Sequence, residues 1–367
     1  MKTTAAIVES TGAAFELAEV VLDDPRPDEL LVRIAAVGMC HTDLSARSGA
    51  TPFPLPAVLG HEGAGVVEAV GARVVGFAPG DRVVISFNSC GSCSSCWMGR
   101  PVYCDHWIAL NLLGGSRLDG SAPITRATGP VHGHFFGQST FARHALVSAR
   151  SAVPAPDDVP LDVLAPLGCS VQTGVGSVLN VARPTAGSTL VVFGAGGVGL
   201  AAIMGARLTA ASRVVAVDIR PDRLKLARAL GASHTVDAGE CNVPEAIRDL
   251  TGGAGADFVI ETSGRLPVLA DSIASLTSAG TCVVVGAPPL GSTIPVDVPD
   301  LLGRGIRLVG TNQGDSNPRQ FLPRLIELHR AGRLPFDRLI RRFPFTEIND
   351  AAARALDGSA VKPVLTM

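Results

Sequence analysis

The run Gly194-Ala195-Gly196-Gly197-Val198-Gly199 limits the possible folds of this chain most severely. It follows directly on the apolar stretch Thr189 to Phe193 and opens an Ala- and Leu-rich helical stretch. The glycines at 194, 196 and 199 spell G-x-G-x-x-G. In that pattern the first makes a tight turn, the second lets a pyrophosphate approach the backbone, and the third lets helix and strand pack closely. The anion then rests on a helix N-terminus, where free N–H groups and the helix dipole favour negative charge. Such a motif is weak alone and would also serve as a packing turn. Here a second strand, Val214 to Val217, ends on Asp218, nineteen residues after Gly199. An acid at that point accepts hydrogen bonds from ribose hydroxyls and repels a 2′-phosphate, which favours NAD over NADP. Arg220 and Arg223 lie close by and temper that preference.

The turn predicts a doubly wound parallel sheet around it. Pro221 to Leu230 reads as a helix, and strands are expected near Thr235, at Asp257 to Glu261, Thr281 to Val285 and Ile306 to Val309. Helical text separates most of them, as a parallel α/β sheet requires. The first ~150 residues differ. Leu30 to Val37, Gly65 to Val70, Asp81 to Ile85 and Thr140 to Val147 read as short strands broken by Gly and Pro turns, the pattern of a partly open β-barrel. Pro154, Pro156 and Pro160 mark a connection. From Thr311 the alternation stops, and the tail is expected to return to the first domain. With 367 residues, two domains are expected. Residues 1–165 and 312–367 form one, with a cysteine lobe at about 88–106, and residues 166–311 the other.

A net charge of −2 gives no electrostatic reason to expect nucleic acid or an anionic membrane as partner. No apolar run reaches the ~20 residues of a bilayer span, and the N-terminus lacks a secretory profile. A cytoplasmic location is expected.

Cys90, Cys93, Cys96 and Cys104 form C-x2-C-x2-C-x7-C. That spacing brings four thiolates onto one tetrahedral Zn²⁺ without a long detour of the chain. The other cysteines, Cys40, Cys169, Cys241 and Cys282, are scattered singly, as in a reduced compartment. Cys40, His61 and Cys169 would make a three-ligand zinc site with an open fourth position. Spacing leaves this trio open, because a lone Cys is usually a small core residue.

The blocks Gly38-x-Cys40-His41-Thr42-Asp43, Gly60-His61-Glu62, the four-cysteine lobe, Gly168-Cys169 with Thr173-Gly174, and the glycine turn together resemble the zinc-dependent medium-chain alcohol dehydrogenases. The resemblance runs from near Lys2 to Met367. Gly133-x-Phe135-Phe136-Gly137-Gln138-Ser139, Gly286 to Gly291, and Gly314-Asp315-Ser316 look most like the aryl-alcohol (benzyl-alcohol) dehydrogenases. The resemblance implies a GroES-like, partly open β-barrel catalytic domain beside a Rossmann NAD-binding domain. It implies catalytic zinc on Cys40, His61 and Cys169, with Glu62 behind the metal or as a transient ligand. Asp43 would orient His61. The four-cysteine lobe would hold a structural zinc. His41 and Lys362 would meet the cofactor pyrophosphate. Thr173 and Val198 would pack the nicotinamide, and Gly194, Gly196, Gly197, Gly199, Asp218 and Arg223 complete the cofactor set.

Thr42 matches the hydroxyl that takes the substrate proton. The histidine that ends the proton relay in many relatives is absent, since Leu44, Ser45 and Ala46 stand in its neighbourhood. Water on Ser45, or His41, is the expected exit. Zinc would acidify a bound alcohol, whose hydride passes to C4 of NAD⁺ and leaves an aldehyde. Phe87, Trp107, Phe135 and Phe136 are candidate walls of an apolar pocket, although core packing explains any one of them alone. Aromatic or allylic primary alcohols such as benzyl, cinnamyl or terpenoid alcohols are the expected substrates. Aliphatic alcohols or polyols are the alternative, and a non-catalytic NAD-binding sensor is the alternative of another class. By analogy a homodimer or homotetramer is expected, with Thr281 to Val285 and Ile306 to Val309 as candidate interface strands.

Overall fold

The computed structural model describes residues 1–367, which divide into two compact units. The first holds Met1–Cys169, Asn317–Glu327 and Asp337–Met367; the second holds Ser170–Ser316 and Leu328–Phe336. The division therefore falls a few residues later than expected from the sequence, and Leu328–Phe336 goes with the second unit.

The first unit is built on two sheets. Five strands lie in the order Ala57–Val58, Lys2–Val8, Phe15–Leu22, Ile124–Arg126 and Gly129–Val131. The larger sheet runs Ala152–Pro154, Arg82–Ile85, Glu62–Val70, Glu29–Gly38, Lys362–Thr366 and Ile340–Pro344, with His144–Ser148 also paired to Glu29–Gly38. Glu29–Gly38 is its organising strand. One edge pairs along its length with Glu62–Val70, while the other is shared by His144–Ser148 at its start and Lys362–Thr366 at its end. The register Gly38↔Glu62 on one side and Gly38↔Val364 on the other brings three distant segments to one corner. Gly38 makes that corner possible, because a Cβ there would lie 2.0 Å from Glu62 Oε2. The core beneath includes Ile7, Leu30, Ile34, Leu59, Ile85, Phe135 and Phe141. Each such side chain contributes roughly 1.5–3 kcal/mol on burial.

The second unit carries six parallel strands in the order His234–Asp237, Arg213–Asp218, Thr189–Phe193, Ala256–Glu261, Leu276–Val284 and Arg307–Gly310. The chain starts at Thr189–Phe193, builds outward to one side, then returns to build the other. The carboxyl end of that first strand is thus a topological switch point, where open α/β sheets bind ligands. Thr189–Phe193 is buried throughout, as a strand covered on both faces must be. Thr281 to Val285 overlaps an interior strand paired on both sides, so it is not free to meet a second copy; Arg307–Gly310 is an edge. No helix is long and apolar enough to cross a membrane.

Candidate active site and metal centres

Cys40 leaves the strand Glu29–Gly38 and caps the helix His41–Arg47. The cap is reciprocal, with the Cys40 backbone N–H donating to Asp43 Oδ2 at 2.8 Å. The other Asp43 oxygen accepts from the Gly60 N–H at 3.1 Å and pairs with His61 Nδ1 at 2.8 Å. One fully buried carboxylate therefore fixes both the Cys40 turn and the His61 ring. Cys169 ends the tight turn Ala165–Gly168, just before the helix Ser170–Gly176. At 168 a Cβ would fall 2.2 Å from the Ile85 carbonyl oxygen, so only glycine lets this turn lie against the sheet.

These elements bring donor atoms of Cys40, His61, Glu62 and Cys169 within 4.8 Å of one another. His61 Nε2 is buried and makes no hydrogen bond, while its Nδ1 is held by Asp43. A buried polar atom without a partner is costly, and here it faces two sulfurs. The donor set, two thiols and an imidazole with a carboxylate behind, fits Zn²⁺ with a position left for a small molecule. Burial alone would lower the His61 pKa, but Asp43 holds it up, to about 10. Cys40 is held well below the usual thiol range, chiefly by the hydrogen bond shared with Cys169.

Glu62 is fully buried, and burial pushes its pKa up. Its two oxygens lie 2.9 and 3.0 Å from Lys362 Nζ, which also donates to the Met39 carbonyl at 3.1 Å. All three ammonium hydrogens are thereby used inside the first unit. The register of Lys362–Thr366 on Glu29–Gly38 turns the Lys362 side chain, expected to meet the cofactor pyrophosphate, toward Glu62. Nothing local in Val361-Lys362-Pro363 signals that pairing, which spans 300 residues of sequence.

Thr42 lies beside Cys40, with Oγ1 at 3.9 Å from the sulfur. His41, the first residue of its helix, is exposed, and Ser45 is half-buried. Phe136 stacks on the His61 ring at 4.4 Å and 24°, and Trp107 meets Phe136 edge-on at 5.8 Å. Phe135 packs edge-on against His61 at 5.5 Å and is wholly buried. Phe87 is also in the core. Of the four aromatics, Phe136 and Trp107 thus gather at the metal ligands, and Phe135 supports them from beneath.

Cys90, Cys93, Cys96 and Cys104 converge in the same way, with sulfurs within 4.8 Å of one another. The single helical turn Ser94–Trp97 and the turn at Pro101–Tyr103 fold the lobe back on itself. A second Zn²⁺ fits this all-thiol set, which leaves no position open.

In the second unit, Gly194 adopts φ +90° and a Cβ at Gly199 would lie 1.8 Å from the Gly194 carbonyl oxygen. A Cβ at Gly196 would meet nothing within 4 Å, so the backbone there is bare. Gly197 and Val198 open the helix Gly197–Ala206. Asp218 accepts from the Ala195 N–H at 2.6 Å and the Arg220 N–H at 2.9 Å, tying the second strand end to the glycine turn. Arg223 is largely buried, and burial followed by the Arg220 charge lowers its pKa. Thr173 donates to Gln313 Oε1 at 3.3 Å.

Known proteins agree with this architecture. The alcohol dehydrogenase GroES-like domain family matches residues 26–157, and the zinc-binding dehydrogenase family matches residues 197–328. A geraniol dehydrogenase of Castellaniella defragrans is 45% identical over 98% of this chain and 96% of its own length. The crystal structure of benzyl alcohol dehydrogenase from Acinetobacter calcoaceticus superposes with a TM-score of 0.96 at 40% identity, covering 100% of this chain and 99% of that one. A Sinorhizobium meliloti protein described as a zinc-binding dehydrogenase, bound to NADP, superposes at 0.83 with 28% identity, covering 100% of both chains. The chain belongs to the zinc-dependent medium-chain alcohol dehydrogenase family, with a GroES-like domain and a Rossmann-type parallel sheet. It is an alcohol dehydrogenase.

Proposed function

We propose that this enzyme oxidises primary allylic and aromatic alcohols to aldehydes, reversibly and with NAD. The observation that carries the reading is the buried cluster of Cys40, His61 and Cys169, with the Phe136 ring stacked on the imidazole and Trp107 edge-on to Phe136. Geraniol and benzyl alcohol, the alcohols named for two relatives, both carry a π-system next to the carbinol carbon. Flat aromatic walls suit such substrates.

Cys40, His61 and Cys169 would hold the catalytic zinc, and Cys90, Cys93, Cys96 and Cys104 a structural one. Bound zinc supplies a Lewis acid toward the substrate hydroxyl, and bound NAD⁺ supplies the hydride acceptor for the carbinol carbon. Asp43 keeps the His61 Nδ1 hydrogen in place, which leaves Nε2 as the ligand atom. Lys362 draws Glu62 back by both oxygens and keeps its charge balanced. Thr42 takes the hydroxyl proton and passes it outward by way of water at Ser45. Gly196 leaves the backbone bare for a pyrophosphate, and Asp218 at the next strand end favours the ribose of NAD over a 2′-phosphate.

A homo-oligomer pairing the edge strand Arg307–Gly310 is part of the reading, supported by exposed Val298, Leu302 and Leu308 nearby. A cytoplasmic site is too, because the eight cysteines fall to two metal clusters and two single positions and none is in a disulfide. The test is an NAD⁺-linked rate comparison of geraniol, cinnamyl alcohol, benzyl alcohol, ethanol and sorbitol, with NADP⁺ in parallel and zinc assayed on the same sample. The expected order of kcat/KM puts the first three highest, with NAD⁺ preferred. Ethanol or sorbitol in the lead moves the enzyme to the aliphatic or polyol class. No NADH from any alcohol would favour the sensor reading.

A further inference from the structure

The six residues His134 to Ser139 have an unusual backbone. His134, Phe136 and Ser139 sit at φ +57°, +52° and +53°, and Gly137 at +67°. A left-handed conformation costs a non-glycine residue on the order of 1–2 kcal/mol. The segment is buried along its length, so this cost is met to aim its side chains. Two of them reach the first metal centre. Phe136 lies flat on the His61 ring.

Gln138, 2% exposed, fills every hydrogen-bonding position of its carboxamide. Its Nε2 donates to the carbonyls of His61 at 2.9 Å and Ser86 at 3.1 Å. Its Oε1 accepts from the Gly63 N–H at 3.1 Å and the Thr140 hydroxyl at 3.3 Å. The two carbonyls fix which end of the amide carries hydrogens. Ser86 continues the connection, since its hydroxyl donates to the Gly168 carbonyl at 2.7 Å. Gly168 immediately precedes Cys169. A continuous path of buried hydrogen bonds therefore runs from the His61 carbonyl and the Gly63 N–H, through Gln138 and Ser86, to the residue before Cys169.

We propose that Gln138, acting with Ser86, is a positioning residue that sets the separation of His61 and Cys169 and thereby the grip on the catalytic metal. The proposal rests on the zinc reading above. Neither side chain is a ligand. They act by joining the two segments that deliver a nitrogen and a sulfur to one point. An amide chosen only to satisfy a core would not need left-handed backbone at three non-glycine positions to place it.

The test compares zinc release to a chromogenic chelator from wild type, Gln138→Met and Ser86→Ala, each with cobalt-substituted spectra. Ile7→Val, a core deletion in the strand Lys2–Val8, serves as the control for lost stability. Outer contacts of metal ligands typically change metal affinity roughly 10–100-fold when removed. One zinc per chain should leave both variants faster by that order. The other, on the four cysteines, should leave at the wild-type rate, and the cobalt bands should shift. Ile7→Val should change neither. If Gln138→Met does not fold, Ser86→Ala, which deletes a single oxygen, carries the same expectation. Wild-type release and unshifted cobalt bands in a variant of lowered melting temperature overturn the proposal and leave the zinc reading standing. A wild-type chain that binds only the four-cysteine zinc overturns both.

Discussion

Lys362 and Glu62 carry opposite charges where neither has water. Their side chains are 4% and 0% exposed, and both Glu62 oxygens are within 3.0 Å of the ammonium. Breaking such a pair from one side leaves a bare buried charge and costs about 3–5 kcal/mol. Lys362→Met should therefore lower the denaturant midpoint sharply at equal zinc content. Lys362→Met with Glu62→Gln should recover most of the loss, because no net charge is then stranded. A single-variant loss no larger than that of Lys2→Met, which opens the exposed Lys2–Glu19 pair, would show the pair to be idle. His134 gives the second residue-scale expectation. Burial, opposed by Glu29, lowers its pKa from 6.5 to about 4, so the folded chain holds it neutral. Its stability contribution is whole above pH 6.5 and is lost as pH falls from 6.5 toward 4, because only the unfolded chain takes up the proton there. The loss is at most roughly 3 kcal/mol. His134→Asn, which tolerates the left-handed backbone, should flatten the curve of unfolding midpoint against pH in that window. Glu29, whose carboxyl Arg117 holds below its usual range against the cost of burial, leaves acid loss at still lower pH in both proteins. Equal slopes between pH 6.5 and 4 would remove His134 from the account.

At the scale of the element, the strand–turn–helix around Gly194 was legible because its signals are local. The apolar run, the three glycines and Asp218 lie within one βαβ unit, and each glycine has its own steric reason. That separates two substitutions of equal size. Gly199→Ala puts a methyl 1.8 Å from a carbonyl oxygen, so the second unit should lose stability whether or not cofactor is present. Gly196→Ala meets no protein atom within 4 Å and keeps φ at −77°, so it should melt like wild type yet bind NADH more weakly, read by fluorescence titration. Wild-type NADH affinity in Gly196→Ala would displace the pyrophosphate from this turn. The first unit was less legible. Phe15–Leu22 went unseen because it is a largely exposed strand whose pattern mixes Glu16 and Glu19 with few buried residues. Lys362–Thr366 went unseen because five residues with a proline gain their meaning only from partners three hundred positions away. The expected strand from Thr140 begins at His144, because the backbone N–H groups of Thr140, Phe141 and Arg143 are given to the Gly60, Leu59 and Thr4 carbonyls. The cysteine lobe could be read from spacing, but the trio Cys40, His61 and Cys169 needed the likeness to a family. Their proximity is a product of sheet register, which no local pattern carries.

For the whole molecule, the two kinds of chemistry are divided between the units. Both donor clusters lie in the first, whose chain segments come from both ends of the sequence, and the glycine turn lies in the second. A ligand stabilises the unit that binds it by an amount set by its concentration over Kd, about 2.7 kcal/mol at a hundredfold excess. Removal of a structural metal withdraws folding energy from the unit that held it. Linkage should therefore be separable by hydrogen exchange. NADH should slow exchange in Thr189–Phe193 and Arg213–Asp218, while Glu29–Gly38 and Glu62–Val70 change little. A strong chelator should do the reverse, speeding exchange first in the exposed cysteine lobe and then in Glu62–Val70, in two kinetic phases. The slower phase belongs to the cluster that holds fully buried His61 and Glu62, because a chelator reaches it only when that corner opens. Cys169→Ser should abolish that slower phase, leave one zinc per chain and end turnover without loss of the fold. Full turnover in Cys169→Ser, or chelation that loosens Thr189–Phe193 as much as Glu62–Val70, would break the assignment of metal chemistry to the first unit.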